Sequence, residues 1–395
     1  MIRSAPGPRP DPRRRGFTLV EILVVIIIVA ILVGLLLPVI AGAVRTAKNA
    51  AVSSEINLLA QALESFKARY GQYPPSRVWL SESGYYNLGN NTPIAANDIT
   101  YGQLAQRTLS SFRKMFPKVL LSTSGVVWGS GSTAWYDFNG NGVFDTSPYM
   151  LQGHECLVFF LGGIPLSDPT SSTFGLTGFG KDPSNPFTNS IVGNVMYNTN
   201  RQPSFFEFNA GRLFLDPTNL SMNGVSPGIP GYYDSLGNTT PAVGATALNF
   251  YVYFNAYGNG LYDPNDVNFT FEADAYLATP IGLKMFDSYL PQINPPQYTI
   301  SPAPNPYTTT LTVTTTGTIT YQKPQTYQIL SAGVDGLYGV GGQFLSSTTP
   351  GSGSATNPLP FDGNDTYAGS SVTADPLIRN RERDNLTNFK TSTLD

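Results

Sequence analysis

The sequence has 395 residues, a formal net charge of -3 and a pI of about 5.3; only 12% of its residues are charged, against roughly 25% in ordinary soluble domains. That balance leaves no basic footprint for nucleic acid, and a single cysteine, Cys156, excludes an internal disulfide. With 39 Gly, 32 Pro and 22 Tyr, the composition points to an exported part rich in turns and sheet.

The first element is the run RRRGFTLVEILVVIIIVAILVGLLLPVI, residues 13–40. Residues 17–40 form a stretch of 24 in which Glu21 is the only charge. At ~1.5 Å per residue such a helix is about 36 Å long, enough to cross a bilayer. Arg3, Arg9, Arg13, Arg14 and Arg15 precede it and keep its start on the cytoplasmic side. A carboxylate facing lipid costs on the order of 2.5–3.5 kcal/mol, so Glu21 requires a partner. If the chain were cut after Gly16, the new ammonium of Phe17 would lie about one helical turn away. The same carboxylate in one subunit could then neutralise the amine of a neighbour. Two plainer readings stand beside this one. Ala41-Gly42-Ala43 offers a small-x-small site for ordinary secretion, although the apolar run exceeds the roughly 7–15 residues of a signal core. A single-pass anchor accounts for the length but not for the Gly-Phe-Thr-Leu-Val-Glu hexamer.

That hexamer, with basic residues before it and an unbroken apolar stretch after it, resembles the class III signal of type IV pilins and type II secretion pseudopilins. The resemblance implies a leader over residues 1–16, cleavage between Gly16 and Phe17 by a prepilin peptidase, N-methylation of Phe17, and a register-setting role for Glu21 in filament assembly. It implies an α+β, pilin-like fold: a long N-terminal helix, residues 17–70, packed on an antiparallel sheet within a globular part, residues 71–395, that carries long loop insertions. The lack of a disulfide leans toward pseudopilins.

Beyond Ile40 the chain turns polar but keeps Val52, Ile56, Leu59, Leu63, Phe66 and Tyr70 at spacings of three and four, one face of a helix. Gly71, Pro74 and Pro75 end it, and Pro38 with Gly42 weakens the ladder locally. A further helix is predicted over residues 103–119. Next comes Asp137-Phe-Asn-Gly-Asn-Gly-Val-Phe-Asp145, which sets Asp137, Asn139, Asn141 and Asp145 at positions 1, 3, 5 and 9 of an EF-hand-type loop. Gly142 falls at position 6 and the Val143 carbonyl at position 7. Pro148 stands where the bidentate acid belongs, so a Ca²⁺ ion would need Glu155 to reach in; the other reading is an Asn-Gly turn. Ser147-Pro148 is the expected cap of a helix through MLQGHECLVFFLGG, with His154 at the surface and Cys156 buried.

Strands are expected at residues 204–208, 248–254, 308–321 and 327–332, the last two as an antiparallel pair. Residues 169–203 and 340–375 read as surface insertions. Asn255 to Asp266 echoes the calcium loop, but Tyr257 at position 3 favours a turn. The order of segments after Phe205 resembles the C-terminal half of major pseudopilins. Asp234, Gly237 and Asn238 match the Asp-Pro-Trp-Gly-Asn turn, with Ser235-Leu236 in place of Pro-Trp; Ser331, Gly333, Asp335 and Gly336 match the segment before the calcium loop. The resemblance implies Asp335 and Asp384 as Ca²⁺ ligands.

Catalytic patterns are missing. His154, Glu155 and Cys156 are consecutive and point apart on a helix, and the glycines of residues 333–342 lack the Lys-Ser/Thr of a phosphate loop. The chain is therefore read as a non-enzymatic subunit of a pseudopilus or pilus-like filament serving protein secretion. It would sit in the inner membrane with its C-terminal part periplasmic, then enter a filament. Its partners would be the peptidase, other pilin-like subunits, an inner-membrane assembly platform and lipid. The alternative is a calcium-stabilised surface-binding or adhesion protein, secreted or held by its N-terminal helix.

Overall fold

The computed structural model describes residues 18–94, 98–129, 135–167, 174–187, 200–215, 228–236, 249–267, 304–309, 320–334, 336, 338, 341–344 and 382–394. Two compact units are present, Met1–Ala47 and Lys48–Asp395. In the first, the described residues are helical from Leu19 onward, and every side chain from 18 to 40 is exposed. They belong to α1, Leu19–Tyr70, a 52-residue helix. Its most apolar window has a mean hydropathy of 3.5 and none of it is buried, so by length and composition it can cross a membrane. The helix runs through Pro38 without a break, and Thr46 Oγ1 donates to the Gly42 carbonyl at 3.0 Å.

In the second unit the stripe falls where its spacing places it. Val52, Ile56, Leu59, Leu63 and Phe66 are buried in the main core and Tyr70 packs half-buried against it. Gly71 closes the helix in the left-handed region, φ 75°, its N–H donating to the Lys67 carbonyl at 2.8 Å. The chain then enters β1, Val78–Leu80, followed by α2, Tyr101–Met115. Thr100 and Gln103 form a reciprocal capping box at the start of α2, and the Trp79 N–H donates to Thr108 Oγ1 at 2.9 Å, fastening the helix to the strand.

Strand β2, Tyr149–Leu151, pairs antiparallel with β1, Val78 opposite Leu151. Ser147-Pro148 therefore caps nothing: α3 is Gly153–Gly162, and its capping box is made by Gln152 and Glu155. Cβ on Gly153 would lie 1.9 Å from the Tyr253 carbonyl oxygen, so the helix enters against the sheet at a point that admits only glycine. All of α3 is buried, as an apolar helix without a polar face must be. His154 is among its buried residues, stacked on Phe250 at 5.0 Å, rather than at the surface; Cys156 is buried as expected.

Beyond α3, β3 (Pro165–Ser167) pairs with β4 (Phe174–Leu176), and β5 (Leu213–Leu215) with β6 (Pro230–Tyr232), both antiparallel. Within the expected insertion of residues 169–203, Phe179 and Phe187 are core residues, so its described part is not a surface excursion. Residues 204–208 form no strand; Phe205, Phe206 and Phe208 pack on the core, and the Phe205 N–H donates to the Leu161 carbonyl.

The largest sheet is antiparallel. Its centre is β9, Tyr327–Ser331, flanked by β7, Val252–Asn255, and β11, Leu386–Thr387. Tyr253 faces Ile329 and Leu386 faces Ser331 in the register. Alternate residues serve two cores: Tyr251, Tyr253, Tyr327 and Ile329 join the α1 side, while Phe250, Val252, Phe254 and Leu330 build a second cluster behind. Among the described residues, the expected pairing of residues 308–321 with 327–332 is not seen. Instead β8, Asn305–Thr308, pairs in parallel with β10, Gly341–Gln343, and the Gln328 side chain bonds the Tyr307 backbone. Residues 310–319 and 345–375 lie outside the described residues.

A buried ionic knot ties β1 to the loop after β7. Arg77, fully buried, pairs with Asp98 at 2.8 Å, Asp263 at 2.8 Å and Asp266 at 3.3 Å, and Arg107 reaches Asp263 at 2.9 Å. Three carboxylates thus meet two guanidinium groups. Burial, then the neighbouring Asp263, pushes Asp266 up to about 7, which brings the knot toward neutrality; burial opposes ionisation of Asp263 too, but Arg77 and Arg107 hold it below the usual range. The echo loop at 255–266 is consequently a turn whose acids are spent on arginine, with Tyr257 donating to Asp266. Arg77→Met strands these acids without their cation and should cost about 3–5 kcal/mol of stability. Urea unfolding monitored by tyrosine fluorescence measures it; an unmoved midpoint would contradict the role given to Arg77.

Candidate functional site

Thr18 and Glu21 form the first part of the site. The Thr18 N–H and hydroxyl both donate to Glu21 Oε2, at 2.8 and 2.9 Å, and the Glu21 N–H donates to Thr18 Oγ1 at 3.2 Å. This is a capping box, with Thr18 as the cap and Glu21 three residues on. The lone charge of the apolar run is thus bonded by its own helix start, beside the positive end of the helix dipole. The helix begins at Leu19 rather than at residue 17; Gly16 and Phe17 lie outside the described residues.

Farther along α1, a second glutamate latches the stripe to the globular part. Glu55 Oε1 accepts from Arg212 Nη1 at 2.7 Å and Tyr232 at 3.0 Å, and Oε2 accepts from Arg212 Nη2 at 2.7 Å and Tyr251 at 2.6 Å. Burial opposes its ionisation, but Arg212 and the two tyrosines outweigh it and hold the carboxyl below the usual range. No motif marks Glu55; its only sequence signal is a charge one position before the buried Ile56.

Residues 137–145 close into a loop through their own side chains. Asp137 Oδ2 accepts the Gly142 N–H at 3.2 Å, Asn139 Oδ1 the Asn141 N–H at 3.1 Å, and Asn141 Oδ1 the Val143 N–H at 2.7 Å. Gly140 and Gly142 adopt φ of 68° and 71°, left-handed positions that fold the chain back on itself. Asp145 Oδ2 closes the loop by accepting from both amides, Asn139 at 2.8 Å and Asn141 at 3.2 Å. Glu155 is not here, because it is committed to the cap of α3, where it accepts the Gln152 N–H at 2.9 Å. Its place is taken by a residue that sequence spacing misses. Glu82, just after β1, accepts the Asp145 N–H at 2.7 Å and the Tyr149 hydroxyl at 3.1 Å. Burial, then Asp145 and Asp137, pushes Glu82 up to about 9; burial also pushes Asp137 up to about 6 against the loop N–H groups that favour its charge.

The residues singled out near the C-terminus are drawn together in part. Ser331 donates to Asp234 at 2.6 Å, and the Val334 N–H donates to Asp384 Oδ2 at 2.7 Å. The turn, the Ser-Ala-Gly segment and Asp384 are thus neighbours. Gly237, Asn238 and Asp335 lie outside the described residues. Among the described residues no three His, Cys, Asp or Glu side chains are placed to hold a metal by themselves. An open cleft of about 470 Å³ lies between the segments that flank Glu82 and Asp145, lined by Trp79, Tyr85, Tyr101, Trp128 and Phe144.

Residues 11–37 match the prokaryotic N-terminal methylation motif. Among curated proteins and solved structures, none matches the chain. The motif supports a pilin-like subunit that a prepilin peptidase processes and that assembles with other pilin subunits. The long N-terminal helix with antiparallel sheets is a mixed α/β arrangement consistent with a pilin-like fold, and the apolar half of α1 is consistent with membrane anchoring.

The Glu55 latch makes a pH prediction. Because its folded value is lowered, its contribution is full above the unfolded value of 4.5 and disappears as pH falls through the folded value. Glu55→Gln should lower stability by on the order of 1–3 kcal/mol at neutral pH, with the deficit closing below about pH 4. Melting curves of both proteins across pH 3–7 test this, and a deficit that stays constant over the range would contradict it.

Proposed function

We propose that the chain is the precursor of a pseudopilus or pilus-like filament subunit that acts in protein secretion by assembly rather than by catalysis. The observation that carries this reading is the methylation motif over residues 11–37 set against a helix whose side chains from 18 to 40 are exposed. Exposed apolar side chains on that scale need lipid or other helices around them. Residues 1–16 form the leader, held on the cytoplasmic face by its arginines. A prepilin peptidase cuts between Gly16 and Phe17, and Phe17 is N-methylated. Until assembly the helix rests in the inner membrane, with the C-terminal part periplasmic. An assembly platform then extracts it into a filament, where heterologous contacts repeat along a helical axis.

Glu21 acts twice in this scheme. In the isolated chain its charge is bonded by Thr18; after cleavage, the Phe17 ammonium of an adjoining subunit competes for the same carboxylate. A salt bridge that forms only when a neighbour arrives sets the axial register of the incoming helix, and the Thr18 bonds keep the charge tolerable before then.

The mature N-terminus, read by mass spectrometry of protein purified from its native host, tests the proposal. N-methylated Phe17 is expected. Val44 at the N-terminus would indicate ordinary secretion, and an uncut Met1 would favour the anchored surface-binding alternative. Glu21→Val should leave membrane insertion and cleavage intact while reducing filament yield; normal filament assembly with valine at that position would overturn the role given to Glu21.

A further inference from the structure

We infer that the loop from Asp137 to Asp145 is a Ca²⁺ site that lacks the twelfth-position acid and is braced instead by Glu82 from the turn after β1. Asp137 is 3% exposed, and while its Oδ2 holds the Gly142 N–H, its Oδ1 is buried and meets no hydrogen-bond donor. A buried carboxylate oxygen without a donor is costly, and a cation removes that cost. The Asn139 and Asn141 amide oxygens, the Asp145 carboxylate and the Val143 carbonyl follow at the spacing in which such loops gather oxygens around calcium. Val143 contributes its backbone, which suits a side chain that is 61% exposed. Two carboxylates with amide and carbonyl oxygens make a hard-oxygen shell of low charge, and no histidine or thiolate is needed. This explains why no cluster of three acids, histidines or cysteines marks the site.

Asp145 Oδ2 accepts from the two asparagine amide groups. Ion entry exchanges these neutral donors for the cation, while Asn139 Oδ1 and Asn141 Oδ1 keep their backbone N–H bonds and turn their remaining lone pairs to the metal. Glu82 acts through Asp145: by accepting the Asp145 N–H it fixes the ninth position, and Tyr149 fixes Glu82 in turn. It is a positioning residue. The Arg201 guanidinium lies near enough to interact with Asp137, but its Nη1 donates to the Gly178 carbonyl at 3.0 Å. The inference is independent of the filament reading, since the loop is built within one chain.

The full chain in detergent, stripped of divalent ions, should bind CaCl₂ by calorimetry with a Kd of about 10⁻⁴–10⁻³ M, the range of extracellular modules, and bind MgCl₂ more weakly. Calcium should also raise the melting temperature, and a chelator should reverse the rise. Asp137→Asn should abolish this binding, whereas Asp384→Asn, at the other candidate site, should leave it. Should Asp137→Asn fail to fold, Asp145→Asn serves in its place and should likewise abolish binding. Glu82→Leu, which removes the acceptor of the Asp145 N–H, should weaken calcium about 10-fold, whereas Glu82→Gln, which keeps an acceptor oxygen there, should retain most of the affinity, a rescue that a role for the Glu82 charge would not produce. No binding up to 10 Kd of that range, or unchanged binding by the Asp137 or Asp145 variant, overturns the site; unchanged affinity in Glu82→Leu overturns the positioning role.

Discussion

One helix has to satisfy two environments, and the rest of the structure answers to that. The apolar run at the start of α1 exposes its side chains all round, whereas Val52, Ile56, Leu59, Leu63 and Phe66 of the same helix are buried in a protein core. Each fully buried large apolar side chain contributes ~1.5–3 kcal/mol, so the stripe supplies ample docking energy but little specificity. A stripe with spacings of three and four could slide by a turn and still bury apolar surface. Glu55 prevents the slide: its two oxygens accept four hydrogen bonds from Arg212, Tyr232 and Tyr251, and any other register would leave that carboxylate, the guanidinium and two hydroxyls unmatched. In the proposed filament subunit, whose helix would be drawn out of a membrane, a register fixed by polar matching would keep the pull from being absorbed by slippage.

The same economy runs through the globular part. Few residues are charged, and many of those that are sit inside and are answered by tyrosine. Tyr149 donates to Glu82, Tyr257 to Asp266 and Tyr307 to Glu382, all three acids buried, Tyr232 and Tyr251 donate to the half-buried Glu55, and Tyr73 donates to Glu64 at the surface. Tyrosine buries a large ring and brings one donor on a stiff stem, so it fills core volume and satisfies a carboxylate at once. That dual use recurs in a chain that has 22 tyrosines and a single cysteine. Where a cation is also needed, as at Arg77, it is embedded among acids whose burial moves one of them toward neutrality.

What could be read from the sequence follows from how local each signal is. The α1 stripe and its glycine stop depend on neighbours within a few residues, and the structure reproduces them. Thr18 with Glu21 is a Thr-x-x-Glu pattern, legible as a cap, and it supplies locally the partner that a lone charge in an apolar run requires. Glu82 was not legible, since 63 residues separate it from Asp145 and only the β1–β2 pairing brings them together. His154 was misplaced for a related reason: it lies on a helix that is buried on every side, where polarity of one residue says nothing about which face meets water. The strand pairing failed because short strands joined by long connections leave the partner open; Tyr327–Ser331 sits between strands from residues 252–255 and 386–387 rather than beside its chain neighbour.

The loop at residues 137–145 and the aromatic cleft share two short segments, the turn after β1 and residues 144–146. Ser81 and Ser83 line the cleft, while Glu82 between them turns the other way to receive the Asp145 N–H. Phe144 and Thr146 line the opposite wall, and Asp145 between them turns toward the loop. Glu82 sits in a turn that the Gly84 N–H closes on the Ser81 carbonyl at 2.9 Å, so its backbone is held together with that of Ser81 and Ser83. Whatever holds Asp145 likewise holds the backbone of Phe144 and Thr146. An ion in the loop would tighten a wall of the cleft through the backbone alone, without touching any residue that lines it.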